Sequence, residues 1–581
     1  MTESNTGSEV VADLGKGGWG DLIRMEDWWA VWLGFALLII GAIIYFPRGP
    51  VGMDDKIAKA NAVMQAEAQK APFKTLAWYK ANDSKKKLKA TSGSQGKAIK
   101  SFTSKPKKWS GNPVNSFYRS KETADAINAK ARPKADKAKK AAAAALATAQ
   151  ASEQAAATAG FKNAALNDKA KADIGAYRGA KKKAGKAGKK AKAKPYSLVL
   201  NLILYGLALG AFFSIGMFFM GKSVVKFFLG FLFVYFIGVV GYFISAYAPI
   251  KASGIGYAAW AIILGLLISN TLGTPKWVMP GVQVEYYIKT GLVLLGAEIL
   301  FGKIMSIGIP GIFVAWVVTP IVLLTTFWFG QKVVKMSSKT LNITIAADMS
   351  VCGVSAAIAT AAACRAKKEE LTLAVGLSLV FTAIMMVVMP NMILAMGMPI
   401  VMGAAWMGGT IDATGAVAAA GAFLGETGLQ VAATVKLIQN VLIGVIAFFV
   451  AVYWVARVES RPGAQVSAWE IWYRFPKFVI GFIGASIIFS LIYTSMGSDV
   501  GYTLIDQGVI RGWSKIGRGW FFNLAFVSIG LATNFRVLAK YFTGGKPLIL
   551  YLCGQSLNLA LTLGMVYVMF YVIFTDITAK I

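Results

Sequence analysis

Apolar windows of about 20 residues, the length that carries a helix across a bilayer's hydrocarbon, recur through most of this 581-residue chain. Mean hydropathy is +0.56. The windows lack the ten-residue alternation of an outer-membrane barrel, so helices are expected. The expectation is an all-α polytopic membrane protein with 11 to 13 transmembrane helices, the first at 27–47 and the last at 547–574. The first window starts late, behind a polar segment, and is long enough to span, so it reads as a transmembrane helix rather than a cleaved leader.

Charge divides the chain into a 1–26 tail, the 27–47 helix, a basic Lys/Ala-rich insertion at 48–194 and a core at 195–581. Residues 51 to 194 hold 34 Lys and Arg against 10 Asp and Glu, which is +24 of the chain's net +33. With few large apolar residues outside "PFKTLAWY" and "NSFYR", the segment is expected to form solvated charged helices that stay off the core. Its electrostatic partners would be anionic lipid head groups before nucleic acid, for which no motif is present. The Lys content places it in the cytoplasm beneath a cell inner membrane. That orientation puts the basic stretches "QKVVKMSSK" (331–339) and "ARVESR" (456–461) outside, so either some spans do not cross or charge bias fails here.

The chain has no histidine, and its three cysteines lie in apolar spans. Neither a zinc site nor a disulfide framework is expected, and histidine catalysis is excluded. A nucleotide-binding Gly-x4-Gly-Lys loop is lacking, and so are the motifs of intramembrane aspartyl proteases. The chain is therefore not expected to be an enzyme.

Two apolar segments carry an acid, hydroxyls and glycine: "DMSVCGVSAAIATAAAC" (348–364) and "WMGGTIDATGAVAAAGAFLG" (406–425). Such composition unwinds a helix mid-membrane, and each restarted half-helix offers free N–H groups and a positive dipole end to an anion. The bland alternative is that the small residues only pack helix on helix. The candidate substrate-binding residues are Ser350, Gly353, Ser355, Thr410, Thr414, Gly415, Lys436 and Asn534. The candidate ion-coupling residues are Asp348, Asp412 and Glu298. Asp348 could instead be a lid near Lys335 and Lys339, Glu298 could pair with Lys303, and Lys436 could snorkel to the surface. Gln439, Asn440, Gln555 and Asn558 are read as polar links between helices. Gly206 is read as ordinary span packing. A short repeat links 259–270, 291–301 and a helix at Pro310 to 477–491, 526–535 and a helix at Pro547. An odd offset makes it inverted, as in many secondary transporters.

"SVCGVSAAIATAAACRAKKEELTLAV", "WMGGTIDATGAVAAAGAFLGETGLQVAATVKLIQNVLI", "GLVLLGAEILF" and "AFVSIGLATNF…GGKPL" together resemble the signatures of the YeiH-type sulfate exporter family, over residues 195–575. The 51–194 block has no counterpart in that resemblance. It implies a secondary transporter of a small oxyanion, by a crossed-helix, elevator-like or rocking mechanism related to sodium/proton antiporters and bile-acid carriers. A homodimer is within that expectation, no cofactor is implied, and Na+ or H+ would be the coupling ion. This chain departs from the pattern with Asp412-Ala413 in place of His-Glu, and with Glu298 and Gln439 in place of arginines. Those changes favour a cation-linked or protonated substrate, and they keep a cation/proton antiporter or a channel as alternatives.

Overall fold

The computed structural model describes residues 18, 20–47, 49–252, 256–299, 301–458, 467–539 and 545–579; most of the 1–26 tail lies outside them. Acids in its first turn favour the start of α1 (Glu26–Tyr45), where they complement the helix dipole. The insertion follows as α2 (Met53–Lys70), α3 (Leu76–Lys86), α4 (Ser94–Phe102), α5 (Lys121–Thr158) and α6 (Ala164–Lys190). The chain re-enters the bilayer as α7 (Val199–Phe219), α8 (Val224–Ser245), α9 (Tyr257–Thr271) and α10 (Val284–Glu298), then a two-piece helix α11 (Phe301–Trp316) and α12 (Val318–Lys332). Next come α13 (Lys339–Ser350), α14 (Val354–Ala363), α15 (Lys368–Ala395), α16 (Ile400–Thr410), α17 (Thr414–Phe423) and α18 (Glu426–Asn440), which runs on into α19 (Leu442–Tyr453). The last passes are α20 (Lys477–Met496), α21 (Lys515–Ala532) and α22 (Gly545–Tyr567).

Eight helical segments among the described residues are long and apolar enough to cross a membrane. The shorter α9, α10 and α21 pack lengthwise within the same bundle and bring the passes to eleven. The two interrupted segments do not add to that number. The Cys364 thiol, just past α14, lies 3.9 Å from the Thr344 hydroxyl and 4.0 Å from the Thr340 carbonyl at the start of α13. A straight helix would hold Thr344 and Cys364 about 30 Å apart, so α13 and α14 form a re-entrant hairpin. In the second segment a Cβ on Gly408 would meet the Ala432 carbonyl at 2.8 Å, and one on Gly421 would meet the Ala432 side chain at 3.0 Å. Thus α16 and α17 straddle α18 in a V. The first hairpin enters from the face opposite the insertion, and the second enters from the insertion face after α15 has crossed. Residues 331–339 and 456–458 consequently share the opposite face, because neither hairpin changes the count of crossings between them; 459–461 lie outside the described residues. Half-helices exist, but they do not move the basic stretches to the insertion's side.

The inverted repeat is visible in the packing. α9 lies on α21, where Ser269 donates to the Gly530 carbonyl at 2.9 Å and Gly265 faces Gly530 closely enough for the backbones to touch. α20 lies on α10 through Gly296 and Phe482, and α10 meets α21 through Gly291 and Phe522. Exchanging α9 with α20 and α10 with α21 exchanges these contacts. The same exchange takes α13–α14–α15 onto α16–α17–α18–α19: α14 packs on α19, as α17 packs on α15. In the second set the hairpin comes first, so the repeat is permuted as well as inverted, which a linear comparison of the sequence does not reveal.

The insertion divides in three: α2 and α3, held to the core by the Lys85–Asp499 ion pair at 2.8 Å, a strap, and a long hairpin. Residues 90–119 form a strap on the core: Trp109 stacks on Phe243 at 4.9 Å, Phe102 meets Tyr205 edge-on at 5.5 Å, and Ala90 is buried in the main core cluster. The expected separation from the core fails here because a few aromatic residues, spaced along a polar stretch, find pockets between α7, α8 and the segment before α21. Beyond the strap, α5 and α6 form a long Ala-rich helical hairpin. Tyr118–Arg119 pairs antiparallel with Tyr196–Ser197, so the two ends of that hairpin meet. Replacing residues 121–194 with a short Gly/Ser linker is therefore expected to leave the melting temperature within a few degrees, whereas excising 90–119 lowers it sharply. Thermal unfolding in detergent, followed by tryptophan fluorescence, checks both. A large loss in the first variant would make α5 and α6 part of the core.

Candidate functional site

Each hairpin turns on small residues because a tip in the bilayer interior has no water to solvate its backbone and must be packed by neighbouring helices. At the first tip, residues 351–353 link α13 to α14, and Gly353 takes φ +58 and ψ −126, a conformation that essentially only glycine adopts. At the second, residues 411–413 link α16 to α17. The tips meet: the Cys352 thiol is 3.5 Å from the Thr414 hydroxyl, and a Cβ on Gly353 would lie 3.2 Å from that of Asp412.

The helix ends at the tips are treated unequally. The carbonyls closing α13 and α16 are satisfied: Lys436 Nζ donates to Val351 O at 2.6 Å, and Gln439 Nε2 donates to Ser350 O at 2.9 Å and Gly409 O at 3.1 Å. Lys436 also donates to Gln439 Oε1 at 2.8 Å, and Asn440 donates to the Thr414 hydroxyl at 2.9 Å. The N-termini of α14 and α17 have no side-chain cap. Ser355 beside the first is exposed, while Val354, Ala413, Val284 and Glu285 are half-buried. α17 packs on α9, α10 and α21, and α14 packs on α13, α15 and α19. At the first N-terminus Ser355 reaches the surface, whereas Thr414 and Gly415 at the second are buried.

Two carboxylates lie behind the tips, both about 1% exposed or less. Asp412 accepts a short hydrogen bond from the Tyr551 hydroxyl and a longer one, 3.4 Å, from Ser378. Neither carboxylate oxygen of Asp348 has a hydrogen-bond partner among the described residues, and Asp348 lies three residues before Val351, whose carbonyl Lys436 holds. The cluster holds two acids and one ammonium, and such groups in a dry site stay together only by sharing a proton or a cation.

The structure brings Asp348, Ser350, Gly353, Thr410, Asp412, Thr414, Gly415 and Lys436 to this junction, with Ser355 at its open side. Asp348 is buried and so is not a lid at the interface. Lys436 is likewise buried, spent on the Val351 carbonyl and Gln439 rather than snorkelling. Asn534 lies elsewhere. It donates to the Ser269 carbonyl at 2.9 Å, and its own side-chain oxygen accepts from the backbone of Arg536 and Val537. Glu298 also lies apart, at the insertion face, chelated by Arg518 at 2.8 and 2.9 Å; the Lys303 side chain is outside the described residues. Gln439, Asn440, Gln555 and Asn558 all reach the tips or their flanks, Gln555 through the Thr410 carbonyl and Asn558 through the Met349 carbonyl. Tyr551 and Ser378 join the site without a sequence signal of their own: each is a hydroxyl in an apolar span, Tyr551 one turn before Gln555 and Ser378 one turn before Thr382.

Space around the glycines gives a contrast. A Cβ at Gly415 would find nothing nearer than 3.4 Å, whereas one at Gly353 would lie 3.0 Å from Ser378 Oγ on a backbone of positive φ. Gly353→Ala is expected to cost about 2 kcal/mol from strain and crowding together, and Gly415→Ala almost nothing, as read by unfolding in detergent. Equal losses would mean that the tip geometry is not held as described. Gly206 is not ordinary span packing, since a Cβ there would meet the Tyr235 ring at 2.5 Å.

The family model described as conserved hypothetical protein 698 matches residues 229–551, more than half of the chain. Two proteins of Nitratidesulfovibrio vulgaris, each named UPF0324 membrane protein, are 60% identical over 574 residues and 99% of both chains, so they carry the insertion too. A UPF0324 membrane protein of Rhodopirellula baltica is 58% identical over 374 residues, 64% of this chain and 68% of its own. No solved structure matches the chain. Buried hairpin tips, a bundle of apolar passes and these relatives agree: the chain is a multi-pass membrane protein of the UPF0324 family, whose model is the conserved hypothetical protein 698 family and whose signatures are those of the YeiH-type resemblance.

Proposed function

We propose that the protein is a secondary transporter of a small anion, such as a sulfate-like oxyanion, an organic sulfonate or a carboxylate, coupled to H+ or Na+ or driven by exchange. One observation carries this reading. Two re-entrant hairpins enter from opposite faces and meet tip to tip with the N-termini of their second halves lacking side-chain caps, while their C-terminal carbonyls are occupied by Lys436 and Gln439. Free N–H groups and positive dipole ends suit an anion, and Thr414 and Ser355 add hydroxyls at the same place. Behind them, Asp348 and Asp412 supply the charge that a proton or Na+ would neutralise as the solute binds.

The buried carboxylates also support a second reading, a cation/proton antiporter in which Lys436 is their counter-ion. The two separate in purified protein. Thermal stabilisation by sulfate, sulfonates or carboxylates, with and without Na+ across pH, is expected under the first reading. Stabilisation by Na+ alone, with no anion effective, would favour the second. The reading further places the protein in the cell inner membrane with its insertion in the cytoplasm, as a carrier rather than an enzyme. Uptake in vesicles that saturates with solute would distinguish it from a channel.

A further inference from the structure

A cavity of about 200 Å3 lies among the membrane passes, between α1, α7 and the start of α21. Its walls include Ile40 of α1, Phe102 of the strap, Ala208 and Phe212 of α7, and Trp513 and Gly517. Polar groups along it are spent on backbone: the Trp513 indole donates to the Leu37 carbonyl at 2.8 Å, and the Thr103 hydroxyl to the Ile99 carbonyl at 2.8 Å. An apolar cavity of about 150 Å3 already stays dry and admits a benzene-sized guest. Gly517 shows that the space is kept open. It sits in helix α21, and the nearest atom to a Cβ built on it is Leu294 Cδ1, at 3.7 Å. Its neighbours on this seam differ, because a Cβ on Gly41 would meet Trp513 at 2.8 Å and one on Gly512 would meet Thr91 at 2.5 Å. Neither backbone nor packing calls for glycine at 517, where it costs helix propensity and leaves a gap. The depth is also defined. α7 starts at the insertion face with Val199, so at about 1.5 Å per residue the lining residues Tyr205 and Phe212 sit about 9 and 20 Å below it. The strap covers the end nearest that face, while Ile40 and Ala208 are exposed on the surface between α1 and α7.

We infer that this slot binds one acyl chain of a phospholipid from the leaflet on the insertion's side. Lipid hydrocarbon is the medium at that depth, and the slot runs along the direction in which the chains of that leaflet hang. An empty apolar gap leaves its lining atoms without partners, and a chain entering between Ile40 and Ala208 supplies them. The guest would join two parts of the protein. Ile40, Phe102 and Ala208 precede residue 229, where the family match begins, whereas Trp513 and Gly517 lie inside it. The lipid is thus a filler between the matched core and the α1, strap and α7 unit laid against it, and this holds whether or not the protein is a carrier.

A phosphatidylcholine carrying a photoactivatable diazirine midway along one acyl chain, placed in nanodiscs with the full-length protein, tests the assignment. After irradiation, peptide mapping by mass spectrometry should find adducts on the inner wall, at Trp513 or within 517–521, as well as on the lipid-facing Ile203 and Leu204 of α7. A lipid that only surrounds the protein reaches the second set and not the first. Gly517→Leu fills the slot from within, and Ala208→Trp blocks its opening. Each variant, confirmed as folded by size-exclusion chromatography, should lose most inner-wall adducts and keep those at Ile203 and Leu204. Because it fills apolar space, Gly517→Leu should also melt no lower than the original chain. The site is overturned if the inner wall is unlabelled, or if both variants label as the original does. It is overturned equally if washed protein releases an isoprenoid or another apolar guest in place of phospholipid, or a second copy's side chain is cross-linked there instead.

Discussion

Asp412→Asn is expected to bring coupled solute flux in proteoliposomes down to background while the protein remains folded in the membrane. Asparagine keeps the size of the side chain and an oxygen to accept the Tyr551 hydroxyl, so the tips should stay where they are. What disappears is one of two carboxylates in a cluster whose one nearby ammonium among the described residues, Lys436, is shared with the Val351 carbonyl. With one acid fewer, the site has no reason to take up a cation as solute binds and release it on the other side, so a gradient can no longer drive accumulation. Exchange of labelled for unlabelled solute could persist in the variant, because exchange needs binding without net coupling. If accumulation in the variant kept the pH and Na+ dependence of the original chain, Asp412 would not be the coupling residue. Ser378→Ala, which removes a weaker hydrogen bond to the same carboxylate, should show a partial version of the same defect.

Arg518→Met is expected to be the most destabilising single change, by about 3–5 kcal/mol, because it leaves a buried carboxylate with no partner. Arg518 and Glu298 have side chains only 4% and 3% exposed and are joined by two parallel hydrogen bonds. Glu426 is 42% exposed and adds little, since solvent screens it. The double variant Glu298→Gln, Arg518→Met should recover much of the loss, as it removes the orphaned charge. Thermal unfolding in detergent of the two single variants and the double variant measures the coupling, and additive losses would contradict a paired, desolvated bridge.

The residues at the tips were legible because the membrane makes them conspicuous. An aspartate with glycine and hydroxyls inside an apolar window has few structural excuses, which singled out Asp348, Gly353, Asp412 and Thr414. The direction of the chain was not legible. About 25 apolar residues suit one crossing helix as well as two half-helices with a turn, and nothing in hydropathy separates Thr340 meeting Cys364 from Thr340 lying a membrane's thickness away. The permuted repeat escaped for a related reason, since three helices matched in order while the hairpins appear in the other order. Asn534 and Glu298 misled because a polar group within a span serves equally to cap a short helix or pair with an arginine, and only the partner reveals which. The strap escaped notice because averaging 144 residues of Lys and Ala hides a few well-placed aromatics such as Phe102 and Trp109.

Gln439 has a further consequence. One amide nitrogen reaches the Ser350 carbonyl on one hairpin and the Gly409 carbonyl on the other, with the Thr319 hydroxyl of α12 as a third partner at 3.0 Å. Lifting either tip alone, in the manner of a hinged flap, would strand those acceptors in a dry interior at about 1–3 kcal/mol each. The two turns are in effect riveted through a single side chain, so neither opens without the other. If the protein is the carrier proposed above, the moving part is expected to be the whole block carrying both hairpins, sliding against α9, α10 and α21 as one piece.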